Sequence, residues 1–206
     1  MALPTDCILI QASAVTNLNE QGAAVLAEVQ AVVFAALGLS IPFQRVVWSP
    51  DLTRTYLYAH LPRRTLLTAA AVQELNNALS RGVNGLTELR ASRLEKVFDI
   101  AGASASLPAS FHYVVEMDPE PGWRTPLFEW YDMEHMPGLA AVPGCIHASR
   151  YLNHDHGPLS LACYDLVRED VKGSPPWMAV TSTEWSGRMR PHFTNTVRTM
   201  FDVCQA

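Results

Sequence analysis

An internal period near half the 206-residue length constrains this chain more than any other feature. The apolar run from Asp6 to Gln11 is answered about 104 residues later by Ser110 to Val115, and Val97 to Ile100 about 103 residues later by Met200 to Val203. The first pair reads as opening strands and the second as closing strands. Between them the order of patterns also repeats. Helical periodicity over 19–37 corresponds to 125–141, and β-like runs over 43–49 and 54–61 correspond to 145–152 and 158–167. Second helical patterns lie over 65–81 and about 170–186. Literal identity between the halves is low, so the shared period carries the inference. Each half reads βαββαβ, the ferredoxin-like motif. The expected fold is α+β, with repeats over 1–103 and 110–206 and a small-residue seam at Ala101–Ala109. One face of each sheet would carry helices. Packing the two bare faces together would make a single-chain α+β barrel.

Composition agrees with a packed chain: 49 % of residues are hydrophobic and only 17 % charged, which argues against disorder. The formal net charge of −5 gives no general attraction for nucleic acid or an anionic membrane. The longest apolar stretch, Ala23 to Leu39, is interrupted by Glu28 and Gln30, so a buried helix is expected and not a membrane span. The N-terminus has no basic residue ahead of its first apolar run, unlike a secretory signal. Cys7, Cys145, Cys163 and Cys204 show no C-x-x-C spacing, and reduced thiols fit a cytoplasmic protein.

Chemistry concentrates in the segment Thr125–Pro137. Thr125 and Pro126 suit a helix start. At 100° per residue, Phe128, Tyr131, Asp132, His135 and Leu139 fall on one stripe about 100° wide, with Trp130, Met133 and Glu134 opposite. The stripe that holds Phe128 and Leu139 is the expected inward face. It draws in Tyr131, Asp132 and His135, polar groups that need partners or a pocket. Rotating the stripe by a third of a turn would instead bury Trp130 and expose Asp132. Pro137 cannot donate to the carbonyl of Met133, so a kink is expected beside His135. The matching helix of the first half, Gly22 to Phe34, has no aromatic–Asp–His set, so the fold by itself does not require one.

The segment Phe128–Pro137, with its pattern F-x-W-Y-D-x-E-H-x-P, resembles the helix motif of EthD-like proteins in the dimeric α+β barrel superfamily. Val142-Pro143-Gly144 ahead of a strand ending in Arg150-Tyr151, and the run Met189–Asn195, also fit that family. The resemblance covers roughly 110–204; residues 1–100 match only in pattern. The first half lacks the motif, so the resemblance implies at most one motif-bearing site per chain. Members usually pair as dimers of single units, which a tandem copy would reproduce within one chain. The superfamily includes monooxygenases, lactone isomerases, decarboxylases of polyketide-like aromatics and haem-binding enzymes, so fold analogy does not choose the reaction.

The residues point to a cofactor-free proton transfer beside a carbonyl, or deprotonation of a phenol. His135 would be the proton carrier, Asp132 its orienting group, and Tyr131 a holder of substrate oxygen. With Phe128, candidates for the pocket wall are His147, Tyr164, Trp177, Trp185, His192 and Phe193. Arg188, Arg190 and Arg198 would border a cleft or interface. No metal is expected: His154 and His156 sit in a turn without a third ligand nearby. A haem would need His135 or His192 as its axial ligand. The expected partner is a small molecule, and the chain could be a monomer or, preferentially, a homodimer. A non-catalytic barrel whose polar stripe is scaffolding explains the same residues. His135→Ala separates the two readings: an enzyme loses turnover and keeps its melting temperature, whereas a scaffold loses about 1–3 kcal/mol in denaturant unfolding.

Overall fold

Side chains alternate across a strand, so every strand here offers one face to helices. The computed structural model describes residues 1–14, 18–43, 45–51 and 53–204. The fold is mixed α+β with antiparallel strand pairing. Two compact units are present. The first comprises Met1–Glu95, Asn153–His156 and Phe201–Ala206, and the second Lys96–Leu152 and Gly157–Met200.

The first unit contains β1 (Ala2–Ala14), α1 (Leu18–Leu37), β2 (Arg45–Trp48), β3 (Thr55–Thr68), α2 (Ala69–Leu79) and the start of β4 (Leu86–Ala101). Its strand order is β4–β1–β3–β2, with the end of β8 (Phe193–Val203) beside β2. Ile8, Ile10 and Ala12 of β1 share a face with Leu57 and Ala59 of β3, and that face meets Val25, Val29 and Val33 of α1 and Val72, Leu75 and Leu79 of α2. The spacings of two on the strands and three or four on the helices are what burial of one face demands. The helix expected over 65–81 begins only at Ala69. Leu66, Leu67 and Thr68 instead pair with Ala2–Pro4 of β1, and the Thr68 hydroxyl caps α2 by accepting from the Ala71 amide at 3.1 Å. The turn Asn153–His156 is tied down by Asp155, which accepts from Arg93 Nη2 at 2.7 Å and from the Arg93 amide.

In the second unit, β5 (Phe111–Pro119), β6 (Cys145–Asn153) and β7 (Ser160–Leu166) join the end of β4 and the start of β8 in the order β4–β6–β7–β5–β8. Its helical layer starts with a rod built from α3 (Arg124–Trp130), a π-helical turn (Tyr131–His135) and α4 (Met136–Ala140). The helix expected over about 170–186 is two short ones, α5 (Pro175–Thr181) and α6 (Glu184–Met189). Thr183 causes the break: its hydroxyl accepts from the Ser186 amide at 3.1 Å and starts α6 afresh. Tyr113, Met117, Ala148, Ala162 and Tyr164 from the strands pack on Leu127, Trp130, Met136, Leu139 and Trp177 from the helices.

Among the described residues no helix is long and apolar enough to cross a membrane. The four cysteines are thiols. Gly144 precedes β6 at φ +94°, and a Cβ there would lie 2.5 Å from Val171 Cγ2. Gly144→Ala therefore combines backbone strain with overpacking, and the expected cost is about 1–3 kcal/mol in urea unfolding.

Candidate functional site

Pro137 has no amide hydrogen to close the α-helical ladder onto Met133. The rod answers with the π-helical turn, in which the Met136 amide donates to the carbonyl of Tyr131, five residues back. The result lies between the two orientations read from sequence. Tyr131, His135 and Leu139 are buried, as the inward stripe requires, but Trp130 is fully buried too. Asp132 leaves the stripe with 42 % of its side chain exposed. Glu134, expected opposite the inward face, accepts from Trp130 Nε1 at 3.1 Å and from the Thr183 hydroxyl at 2.6 Å, linking the rod to the start of α6.

Asp132 does not orient His135. It accepts from Arg150 Nη2 at 2.7 Å. Arg150 is almost wholly buried, and its guanidinium lies over the rings of Phe128 (4.4 Å) and Tyr131 (5.3 Å). Those π faces stand where Nε and Nη1 have no hydrogen-bond partner. Phe128 is thereby part of an arginine clamp and does not line the cavity described next.

His135 stacks on Trp130 at 4.2 Å and meets the Tyr131 ring edge to face at 5.5 Å. Its imidazole forms no hydrogen bond to another described residue, and Nδ1 is both buried and unpartnered. It lines a narrow cavity of about 40 Å³, walled by Tyr113 and Val115 of β5, Tyr164 of β7, Tyr131 and Leu139 of the rod, and Trp177 and Thr181 of α5. Phe193, Arg190 and Arg198 complete the wall. Such a volume holds about two or three waters, or a small head group. Of the wall residues expected from sequence, Tyr164, Trp177 and Phe193 are there. The Tyr164 hydroxyl donates to Met136 Sδ at 3.1 Å.

The other expected wall residues lie elsewhere. His147 contacts Asp99 through Nε2 at 3.1 Å. Trp185 packs at the edge of the unit's core. His192 stacks on Trp123 and pairs with Glu120 through Nδ1 at 2.6 Å. Among the described residues no group of three or more His, Cys, Asp or Glu side chains is placed to hold a metal ion. Tyr113 and Thr181 escaped the sequence reading. Alternation with Val115 carried no chemical signal for the first, and the second depends on how α5 docks. Arg190 and Arg198, expected near a cleft, line this one.

Burial governs the electrostatics. It holds the His135 pKa down at about 3, with Arg190 adding to the effect. Burial raises the tyrosines at positions 131, 164 and 113, opposed at 131 and 113 by nearby arginines. At neutral pH the cavity therefore contains a neutral imidazole and neutral phenols.

No known protein-family model matches this chain, and no curated protein sequence matches it. Solved structures do. An anthrone oxidase-like protein aligns over 100 % of this chain and 95 % of its own, with TM-score 0.60 and 11 % identity. Chlorite dismutase from Candidatus Nitrospira defluvii aligns over 96 % and 92 %, with TM-score 0.55 and 14 % identity. A ferredoxin fold protein from Listeria monocytogenes, related to antibiotic biosynthesis monooxygenases, aligns over 99 % and 97 %, with TM-score 0.52 and 10 % identity. At these identities the likeness shows the fold, which is ferredoxin-like.

The depressed His135 pKa has a thermodynamic consequence. Between an unfolded value of about 6.5 and the folded value of about 3, the unfolded chain binds a proton that the native chain does not. Stability from the neutral imidazole is complete above about pH 6.5 and falls away as the pH drops toward 3. His135→Gln should flatten the pH dependence of urea-unfolding stability between about pH 4 and 6.5 relative to wild type.

Proposed function

We propose that this chain is an EthD-like, tandem ferredoxin-like protein that binds a small aromatic or carbonyl compound in the cavity of its second unit, with His135 as the proton carrier. One observation carries the reading: a buried imidazole with no hydrogen-bond partner lies on the wall of a cavity rich in aromatic side chains. An orphaned buried polar atom costs about 1–3 kcal/mol, so the fold gains nothing from it, whereas a ligand hydroxyl or carbonyl-derived enol would satisfy it.

The charge state shapes the chemistry. His135 rests neutral, so it starts as a base or hydrogen-bond acceptor and not as an imidazolium acid. It would take a proton from a phenolic O–H, or from a C–H beside a carbonyl. The electron pair would stay on the ligand as phenolate or enolate oxygen. That anion would in turn offset the burial that disfavours the protonated ring. Return of the proton to another atom would complete an isomerisation without any cofactor. Tyr131, neutral, would donate to that oxygen, while Tyr164, whose hydroxyl is given to Met136 Sδ, would serve as wall. Asp132 has no direct part, because its carboxylate serves Arg150.

The narrowness of the cavity also supports a second reading, a binder that does no chemistry and admits only a small head group. A thermal-shift series on wild type and His135→Ala with aromatic acids, quinones and lactones tests both. A ligand class that raises the wild-type melting temperature by several degrees, with the shift lost in a variant that melts normally without ligand, is the expected result. Turnover of that ligand then selects the enzyme. No shift with any class, together with a lowered melting temperature of the variant, overturns the ligand site.

A further inference from the structure

The rim of the cavity carries a feature that a neutral ligand leaves unused. Arg190, between α6 and β8, and Arg198, on β8, both line the cavity. Both are solvent-exposed, and neither side chain makes a salt bridge or hydrogen bond to a described residue. Three of the unit's other arginines carry a carboxylate, Arg150 with Asp132, Arg168 with Asp170 and Arg188 with Glu184, and the fourth, Arg124, lies over the Phe128 ring away from the cavity. Two unpaired guanidinium groups on one small cavity concentrate positive potential in a chain whose net charge is −5. The positive field of the two side chains reaches Tyr113 and Tyr131, and that of Arg190 reaches His135.

A guanidinium presents a planar fork of donors that matches a carboxylate, and two forks at one rim can hold both carboxylate oxygens. The same cavity is lined by the aromatic side chains of Tyr113, Trp177 and Phe193 and by His135, whose buried Nδ1 is without a partner. The site thus combines two cations, aromatic walls and one imidazole on a cavity of about 40 Å³, room for the polar end of a ligand. We propose that the ligand is an organic carboxylate, a flat 2-hydroxy or 2-oxo acid, with its carboxylate on Arg190 and Arg198 and its neighbouring oxygen on His135. This rests on the ligand site proposed above and adds the charge of the ligand. It also gives the arginines a role in proton transfer: a carboxylate neutralises the positive field that otherwise opposes protonation of His135.

A matched pair of probes separates charge from shape: 2-hydroxybenzoate and 2-hydroxybenzamide, titrated calorimetrically into wild type, the Arg190→Gln/Arg198→Gln double variant and His135→Ala. Both arginines are exposed, so the double variant should melt like wild type without ligand. The acid should bind wild type more tightly than the amide by about tenfold to a hundredfold, and added salt should weaken it. The double variant should remove that preference and leave amide binding unchanged, while His135→Ala should weaken both probes. Amide binding as tight as acid binding, or acid binding indifferent to the double variant, overturns the carboxylate assignment and leaves the ligand site standing. Failure of both probes to bind wild type overturns the carboxylate assignment. If the broader ligand series also fails, the site itself falls with it.

Discussion

Pro137 lacks an amide hydrogen, and much of the second unit's helical layer answers to that absence. An α-helix through Arg124–Ala140 would leave the Met133 carbonyl without its usual donor. The chain instead widens to a π turn over Tyr131–His135 and resumes as α4. The wider turn changes which side chains look inward. Trp130, Tyr131 and His135 all reach the interior, and Asp132 swings out to Arg150. π-helical turns are often found at functional sites because they re-aim side chains at a cost in helix regularity. Here the re-aimed group is an imidazole packed between aromatic rings, whose Nδ1 has no hydrogen-bond partner among the described residues.

The contrast between the two units sharpens the point. In the first, α1 offers Val25, Val29 and Val33 to a sheet face of Ile8, Ile10 and Leu57, and that interface is aliphatic. In the second, the corresponding interface is built from Tyr113, Trp130, Tyr131, Tyr164 and Trp177, with His135 among them. Aromatic rings cover more area each but tile less completely around a polar ring, and the narrow cavity lies where the tiling stops. A layer of helices over a sheet does not need that arrangement, as the first unit demonstrates.

Charge placement follows the same division. In the first unit Arg93 is buried against Asp155. In the second, Arg150 is buried against Asp132 and capped by Phe128. A buried guanidinium without its carboxylate would be strongly destabilising, so these pairs are committed to the scaffold. Arg190 and Arg198, exposed and unpaired, are not. The side chains that hold the fold and those free for a ligand can be told apart by this accounting of partners.

Much of this was written locally. Two-residue alternation located the strands, three- and four-residue spacing located α1 and the rod, and Pro137 announced the irregularity beside His135. The contents of the helical stripe were legible because they depend only on residues within two turns of one another. Partner choice was not. Asp132 meets Arg150 from a strand 18 residues away, Glu134 meets Thr183 from the start of α6, and Arg198 reaches the cavity from the last strand. Leu66–Thr68 joined β3 because the N-terminal residues were there to pair with them, against a local helical pattern. Periodicity fixes the direction in which a side chain leaves its own backbone, a property of one element. Whether it then meets a carboxylate, an aromatic face or an empty space is a property of at least two elements, and packing alone brings those together.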